Sequence, residues 1–396
     1  MVHIQLTRSK SSYASSESTF DFHEDLGNHY WKRLIKAGQK QNKYSEPYTP
    51  KKRLLHIIVL MIFLGFTSGF IWLSLLITLP RHHDPKPPSN RVSYIVDKWK
   101  SPLDSSRLLS TWSSDFTRDI TPMSCHSHND YKRTVPLCEA LAAGCTSVEA
   151  DIFLPTKTAS RDLLVGHKSE SLTQDRTLQS LYIDPLITTL ENLNNSTEED
   201  RGPNNWSGVY QSSPNTTLTL LLDFKSNGAA LWPYVDEQLS SLRSKKWLTH
   251  WSDTSEMTWA PIIVVATGNA PFDILSNNRT YRDIFYDAPL DDISNAIYNN
   301  TNSHYASVSM SRAIGRQWFW RFSSKQRDKI GEQVSAARSK GLVARYWDTP
   351  TWPVTFKDYV SEVLIEKGVG TLNVDRFSSS LYFPLLTGFG QNRLAY

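Results

Sequence analysis

Cysteine is scarce in this chain of 396 residues: there are three, Cys125, Cys138 and Cys145, all in one short stretch. None forms a CxxC spacing, so neither a disulfide framework nor a thiolate zinc site is expected, and buried free thiols are the predicted state. An excess of one charge sign is also missing, since 43 Lys and Arg against 39 Asp and Glu leave a formal net charge of +4. That balance gives no electrostatic case for nucleic acid as a partner. No short repeat recurs, which sets aside solenoids and propellers. Aromatics are plentiful at 12%, with 13 Trp, and low-complexity disorder is excluded for most of the length.

What the chain does have is a long apolar run. Leu54 to Leu79, LLHIIVLMIFLGFTSGFIWLSLLITL, carries no Asp, Glu, Lys or Arg. It exceeds the ~20 residues that span a bilayer core, and a buried core helix is rarely so uniformly apolar. The run is too long and too far from Met1 for a cleaved signal peptide. Lys32, Arg33, Lys36, Lys40 and Lys43 and the cluster Lys51, Lys52 and Arg53 precede it, and positive charge thins after it. The positive-inside rule then puts the N-terminus in the cytosol and the large C-terminal part in the lumen or outside the cell, by the secretory pathway. N-x-S/T triplets at Asn194, Asn195, Asn205, Asn215, Asn278 and Asn299 agree with that orientation. The expected organisation is a disordered tail at 1–50, a single transmembrane helix at 54–79, a Pro- and Ser-containing stalk at 80–115, and a folded domain at 116–396. Nothing in the composition fixes an oligomeric state.

The folded part alternates β-type and helical runs, the α/β pattern. Expected strands are 120–126, 145–154, 163–167, 217–224, 261–267, 306–310, 341–347 and 370–377. Helices are expected at 136–144, 184–194, 229–246, 324–340 and 356–367. The Asn-rich stretches 191–216 and 276–303 read as long loops. Eight β runs in a span above the ~250 residues such a domain needs predict a TIM-type (β/α)8 barrel, whose active site lies at the carboxyl ends of the strands.

Polar residues collect at those ends. His126, His128 and Asn129 end the first run, Glu149 and Asp151 sit near the end of the second, and His167 ends the third. Asp223 and Lys225 end the fourth, Arg345 lies in the seventh, and Asn373 in the eighth. Side chains two apart in a strand share a face, so Glu149 and Asp151 project together. Their neighbours Val148, Ile152 and Phe153 are apolar, and carboxylates inside a buried strand need a partner or a cation. With Asp223 they form an oxygen set suited to Mg²⁺ or Ca²⁺. Such an ion polarises a phosphoryl oxygen, and histidines on either side would supply acid and base.

The runs HSHNDY (126–131), GCTSVEAD (144–151), LLVGH (163–167) and LLLDFKSNG (220–228) resemble the phospholipase-C-like phosphodiesterase superfamily, over roughly residues 117 to 390. RTLQSLYIDPL (176–186), ARYWDTPTWP (344–353) and LNVDRF (372–377) resemble its fungal "altered inheritance of mitochondria" family, number six. The resemblance implies a strand-one acid/base histidine at His126 or His128, with a slight preference for His126. It also implies a second histidine at His167, metal ligands at Glu149, Asp151 and Asp223, and phosphate contact by Lys225. Arg345, Asn373 and Asn129 are substrate-contact candidates. The expected function is a membrane-anchored, metal-dependent phosphoric diester hydrolase acting on lipid or lipid-derived phosphodiesters, with the strand-one histidine as base and His167 as acid. The alternatives are a metal-dependent amidohydrolase, which would require further histidines at later strand ends, and a non-catalytic, membrane-tethered lipid-binding barrel.

Overall fold

A computed structural model describes residues 32, 33, 36, 49–82, 116–155, 161–194, 206–254, 256–315, 317 and 320–377. Most of the expected tail and stalk, and the Asn195 and Asn205 triplets, lie outside the described residues. The chain divides into two units, Met1–His82 and His83–Tyr396.

In the first unit Pro50–His82 is one α-helix. Its segment Pro50–Leu75 has a mean hydropathy of 2.3 and buries none of its length against protein. Large side chains such as Leu55, Met61, Phe66 and Trp72 are exposed around it. By length and composition it is a candidate membrane span, consistent with the ~1.5 Å rise per residue of a helix and a ~30 Å hydrocarbon core.

The second unit is a closed barrel of parallel strands: β1 Met123–Ser127, β2 Cys145–Phe153, β3 Leu218–Phe224, β4 Ile262–Gly268, β5 Ile284–Pro289, β6 Ser303–Ser309, β7 Val343–Trp347 and β8 Thr371–Val374. Neighbours in sequence are neighbours in space, and β8 pairs with β1 to close the ring. Runs such as LTLLLDF and IIVVATG are apolar and β-branched at successive positions because such strands are covered on both faces. Leu220, Leu222, Val264 and Ala266 face the outer core, and Leu221, Val265 and Tyr305 pack together in a separate cluster. Helices at Asp184–Asn194, Gly228–Gln238, Ser324–Ser339 and Val354–Glu366 bury one stripe each.

Three expectations need correction. Leu164–Val165 is not a barrel strand; it pairs antiparallel with the end of β2. The missing strand is β5, inside the stretch read as a loop, because IFYDAP is short and flanked by Asn-rich sequence. A small antiparallel sheet of His250–Ser252, Glu256–Thr258 and Tyr281–Arg282 also escaped notice.

The third concerns the cysteines: Cys125 and Cys145 form a disulfide with Cα atoms 4.7 Å apart, and Cys138 alone is free. β1 and β2 are adjacent in the barrel, a proximity that sequence spacing does not reveal. The bridge closes a sequence separation of 20, for which loop entropy predicts a stabilisation of ~3 kcal/mol. Chemical denaturation of the double variant Cys125→Ala/Cys145→Ala is expected to show a loss of that order. An unchanged midpoint would mean that the bridge does not form in the folded protein.

Candidate active site

The carboxyl ends of β2 and β3 bring three acids together. Glu149 and Asp151 face the same side of β2, and Asp223 is the register partner of Asp151 across the β2–β3 pair. One oxygen from each lies within 4.8 Å of the others, with Glu149 and Asp151 buried and Asp223 half-buried. Asp151 Oδ1 is buried and has no hydrogen-bond partner, and an orphaned buried acceptor costs about 1–3 kcal/mol. Gly268 at the end of β4 has φ +69°, and a Cβ there would stand 2.0 Å from Asp223 Oδ1. Only glycine both adopts that backbone freely and leaves Asp223 in place.

The surrounding charges differ for each acid. Lys225 Nζ lies 2.5 Å from Asp223 Oδ2 and 3.2 Å from Asp151 Oδ2. Burial pushes Asp151 up to about 7; Glu149 and Asp223 add to this and Lys225 opposes it. Burial raises Asp223 as well, against the pull of Lys225. For Glu149 burial also pushes upward, but the hydrogen bond from His126 and the charges of His128 and Arg345 outweigh it and hold the carboxyl well below its ordinary range.

His126 is fully buried, and both its nitrogens are engaged. Nδ1 lies 2.7 Å from Ser147 Oγ, and Nε2 lies 3.1 Å from Glu149 Oε2. Burial, helped by Arg345, lowers its pKa to about 4. The ring is therefore neutral, donating from Nε2 to the Glu149 carboxylate and accepting the Ser147 hydroxyl at Nδ1. His128 is the accessible histidine of the pair, with 23% of its side chain exposed. Its Nδ1 lies 2.6 Å from Asp375 Oδ1, and Nε2 is 3.8 Å from Glu149 Oε2. Asp375 is held in turn by Arg133, which donates to the Asp375 and Val374 carbonyls.

His167 stands on the far side of the acids, on the segment that follows the Leu164–Val165 pairing. It is half-exposed, and its Nδ1 is 3.5 Å from Asp151 Oδ2. Burial, then Lys132, Lys225, Lys168 and His128, hold its pKa below the ordinary value. Asn129 turns the chain with φ 49°, a left-handed conformation that Asn tolerates, and its backbone N–H donates to Glu149 Oε2.

The structure thus brings together His126, His128, Asn129, Glu149, Asp151, His167, Asp223 and Lys225. Arg345 and Asn373 lie beneath them. Arg345 donates to Ser307 Oγ and Asn373 Oδ1 and pairs with Asp287 at 3.5 Å. Both are buried, and the Arg345 charge helps hold the Glu149 carboxyl below its ordinary range. Sequence reasoning passed over Tyr131, whose hydroxyl lies 2.7 Å from Asp151 Oδ2, 3.0 Å from His167 Nδ1, and against Asn129 Oδ1. It also passed over Tyr182, whose hydroxyl reaches Asp130 Oδ2 and the Glu149 carbonyl. Their signals were the motifs HSHNDY and RTLQSLYIDPL themselves. Among the described residues the cluster itself is made of the three carboxylates, with His126 against Glu149 and His167 against Asp151.

The raised Asp151 has a consequence for stability. A folded-state value of about 7 against an ordinary 3.8 means that the protonated form favours the fold. That contribution is full below the unfolded value and is lost as pH rises through about 7. With a chelator present, Asp151→Asn is expected to match wild type near pH 4 and to exceed its thermal midpoint near pH 8. A wild-type advantage at the higher pH would contradict this electrostatic picture.

Residues 114–287 match the family described as the AIM6-like phosphodiesterase domain. The chain is 36% identical over 271 residues to the altered inheritance of mitochondria protein 6 homolog of Arthroderma benhamiae, covering 66% of this chain and 84% of that protein. It is 34% identical over 298 residues to altered inheritance of mitochondria protein 6 of Lachancea thermotolerans, covering 66% of each. Against the Saccharomyces cerevisiae protein of that name it is 33% identical over 281 residues, covering 65% of this chain and 70% of the relative. With the barrel and its acidic rim in view, the chain belongs to the altered inheritance of mitochondria protein 6 family and carries that family's phosphodiesterase domain.

Proposed function

We propose that the protein is a membrane-anchored, metal-dependent phosphoric diester hydrolase of the phospholipase-C and glycerophosphodiesterase type, acting on lipid or lipid-derived phosphodiesters. The observation that carries the metal dependence is the unpartnered, buried Asp151 Oδ1 beside Glu149 and Asp223. An all-oxygen donor set suits Mg²⁺ or Ca²⁺, and Lys225 already satisfies one oxygen of each aspartate. A divalent ion held by Glu149, Asp151 and Asp223 would neutralise a phosphoryl oxygen and acidify the attacking hydroxyl.

The histidines divide the proton work. His167, held below its ordinary pKa by burial and by Lys132, Lys225 and Lys168, suits the acceptor. His128 is held by Asp375 at Nδ1, with Nε2 turned toward the acids, and suits the donor to the leaving oxygen. This reverses the assignment expected from strand order. His126, enclosed and bonded at both nitrogens, is a positioning residue for Glu149. Lys225 adds positive charge for the phosphate.

Lipid as substrate is supported by the apolar helix and by Trp320, Trp347 and Trp352, all exposed. They sit at the end of β7 and on the segments following β6 and β7, the same end as the acids, and tryptophan favours the membrane–water interface. The Cys125–Cys145 bridge supports the lumenal or extracellular orientation, since disulfides persist in oxidising compartments. Exposed Asn215 and Asn278 fit the same placement, whereas the Asn194 side chain is tied to Leu190 and Ser207.

Full-length protein assayed on lysophospholipids, glycerophosphodiesters and inositol phospholipids is expected to lose turnover on chelation and recover it with Mg²⁺ or Ca²⁺. His128→Ala should cost ~10²–10⁴ in kcat, and Gly268→Ala should cripple turnover although no acid or base is removed. Undiminished turnover in chelator or in His128→Ala would refute the mechanism. No turnover on any of these substrates would favour a lipid-binding barrel. With the full-length protein reconstituted in bilayers, Trp320→Ala/Trp352→Ala should lower kcat/KM on lipid substrate roughly tenfold, about 1.4 kcal/mol, with kcat on a soluble substrate unchanged. Equal kcat/KM on the lipid substrate would remove the interfacial role.

A further inference from the structure

Below the acidic layer the barrel interior changes character. Tyr305 of β6 lies buried there, with the Arg345 guanidinium 6.0 Å from its ring and the His126 ring edge-on at 6.4 Å. Tyr305 also borders a second cavity, of about 470 Å³, among the amino-terminal ends of the strands. That volume falls in the ~300–1,000 Å³ range of small-molecule sites. It lies at the opposite end from the phosphodiesterase site, and nothing said of it depends on that chemistry.

The lining is distinctive in what it excludes. Among the described residues no Lys, Arg, Asp or Glu contributes to it. Trp206, Trp259 and His304 supply rings, and Trp259 is 40% exposed at the surface. Burial lowers His304 to about 4, so this ring is neutral too. The remaining wall is rich in hydroxyls. Thr371 of β8 is 4% exposed, and its Oγ1 is buried with no hydrogen-bond partner. Ser124 of β1 stands beside it, one step below the Cys125–Leu372 register pair.

An uncharged lining does not reward a phosphate or a carboxylate, and the hydroxyls and the orphaned Thr371 Oγ1 do not reward a fatty chain. Indole faces carry negative potential and accept the C–H edge of a ring. We propose that this cavity is a binding site for a neutral, hydroxyl-rich ring, a pyranose or cyclitol, stacked against Trp259 and Trp206 with one hydroxyl bonded to Thr371 Oγ1. Two sources share that chemistry: an external saccharide, or a glycan on Asn215, which is exposed and lines the same cavity.

The test uses the full chain in phosphatidylcholine nanodiscs, free of glycoside detergents, with methyl β-glucopyranoside and myo-inositol as probes and glucose 1-phosphate as charged control. Binding is read by saturation-transfer NMR and tryptophan fluorescence. Both neutral probes are expected to bind, and Trp259→Ala and Thr371→Val to weaken them about tenfold, some 1.4 kcal/mol. Thr371→Val should keep or raise the thermal midpoint, because it removes an unpaired buried hydroxyl, and this separates a ligand contact from a structural role. Binding by protein from a bacterial host and equally by protein from a fungal host identifies an external saccharide. Binding only by the bacterial product identifies the Asn215 glycan as occupant. No transfer from either neutral probe at about 20 mM, equal binding of glucose 1-phosphate, or unchanged binding in both variants would overturn the proposal.

Discussion

Three carboxylates share a few ångströms at one end of this barrel, in surroundings that strip them of water. Like charges so placed cannot all ionise without compensation, and much of the local structure answers that constraint. Lys225 bridges Asp151 and Asp223. His126, His128 and Arg345 offset Glu149, and Tyr131 donates to Asp151. The compensation stops one oxygen short, at Asp151 Oδ1. Asp151 therefore stays near the point of protonation, the condition that cation binding would relieve.

The barrel interior is layered accordingly. The carboxyl ends carry the acids, with His128 and His167 on either side. Beneath them Arg345, Asp287, Ser307 and Asn373 form a buried polar layer, whose Arg345 charge acts on Glu149 and Asp223. Tyr305 and the apolar packing of Leu221 and Val265 follow, and the neutral cavity opens at the amino-terminal ends. Each layer arises from the two-residue alternation of the strands, which sends every second side chain inward. Glu149 and Asp151 belong to one such series on β2, and Thr371 and Asn373 to another on β8.

Much of this was legible in the sequence. The alternation of Glu149 and Asp151 within an apolar run, and the acid at the end of LTLLLDF, carry both the strand positions and the convergence of the site. What escaped depends on long-range geometry. The disulfide needed β1 and β2 to be neighbours. β5 is hidden by its short length and polar flanks, and Leu164–Val165 supplies an eighth β run in the sequence although it lies outside the barrel. His167 reaches the acids from a returning segment, not from a barrel strand, a difference invisible to periodicity. Which strand-one histidine is enclosed could not be read from HSHNDY, because burial depends on Glu149 and Ser147 across the β1–β2 pair. Gly268 gave no local signal, since its role is to leave room for Asp223.

The most direct measurement is calorimetric titration of Mg²⁺ and Ca²⁺ into metal-free protein below neutral pH, in two buffers of different ionisation enthalpy. If the acids form a cation site, one ion binds per chain, a proton is released as Asp151 ionises, and Asp223→Asn abolishes the heat. No saturable binding, or binding indifferent to Asp223→Asn, would contradict the arrangement on which the whole reading rests.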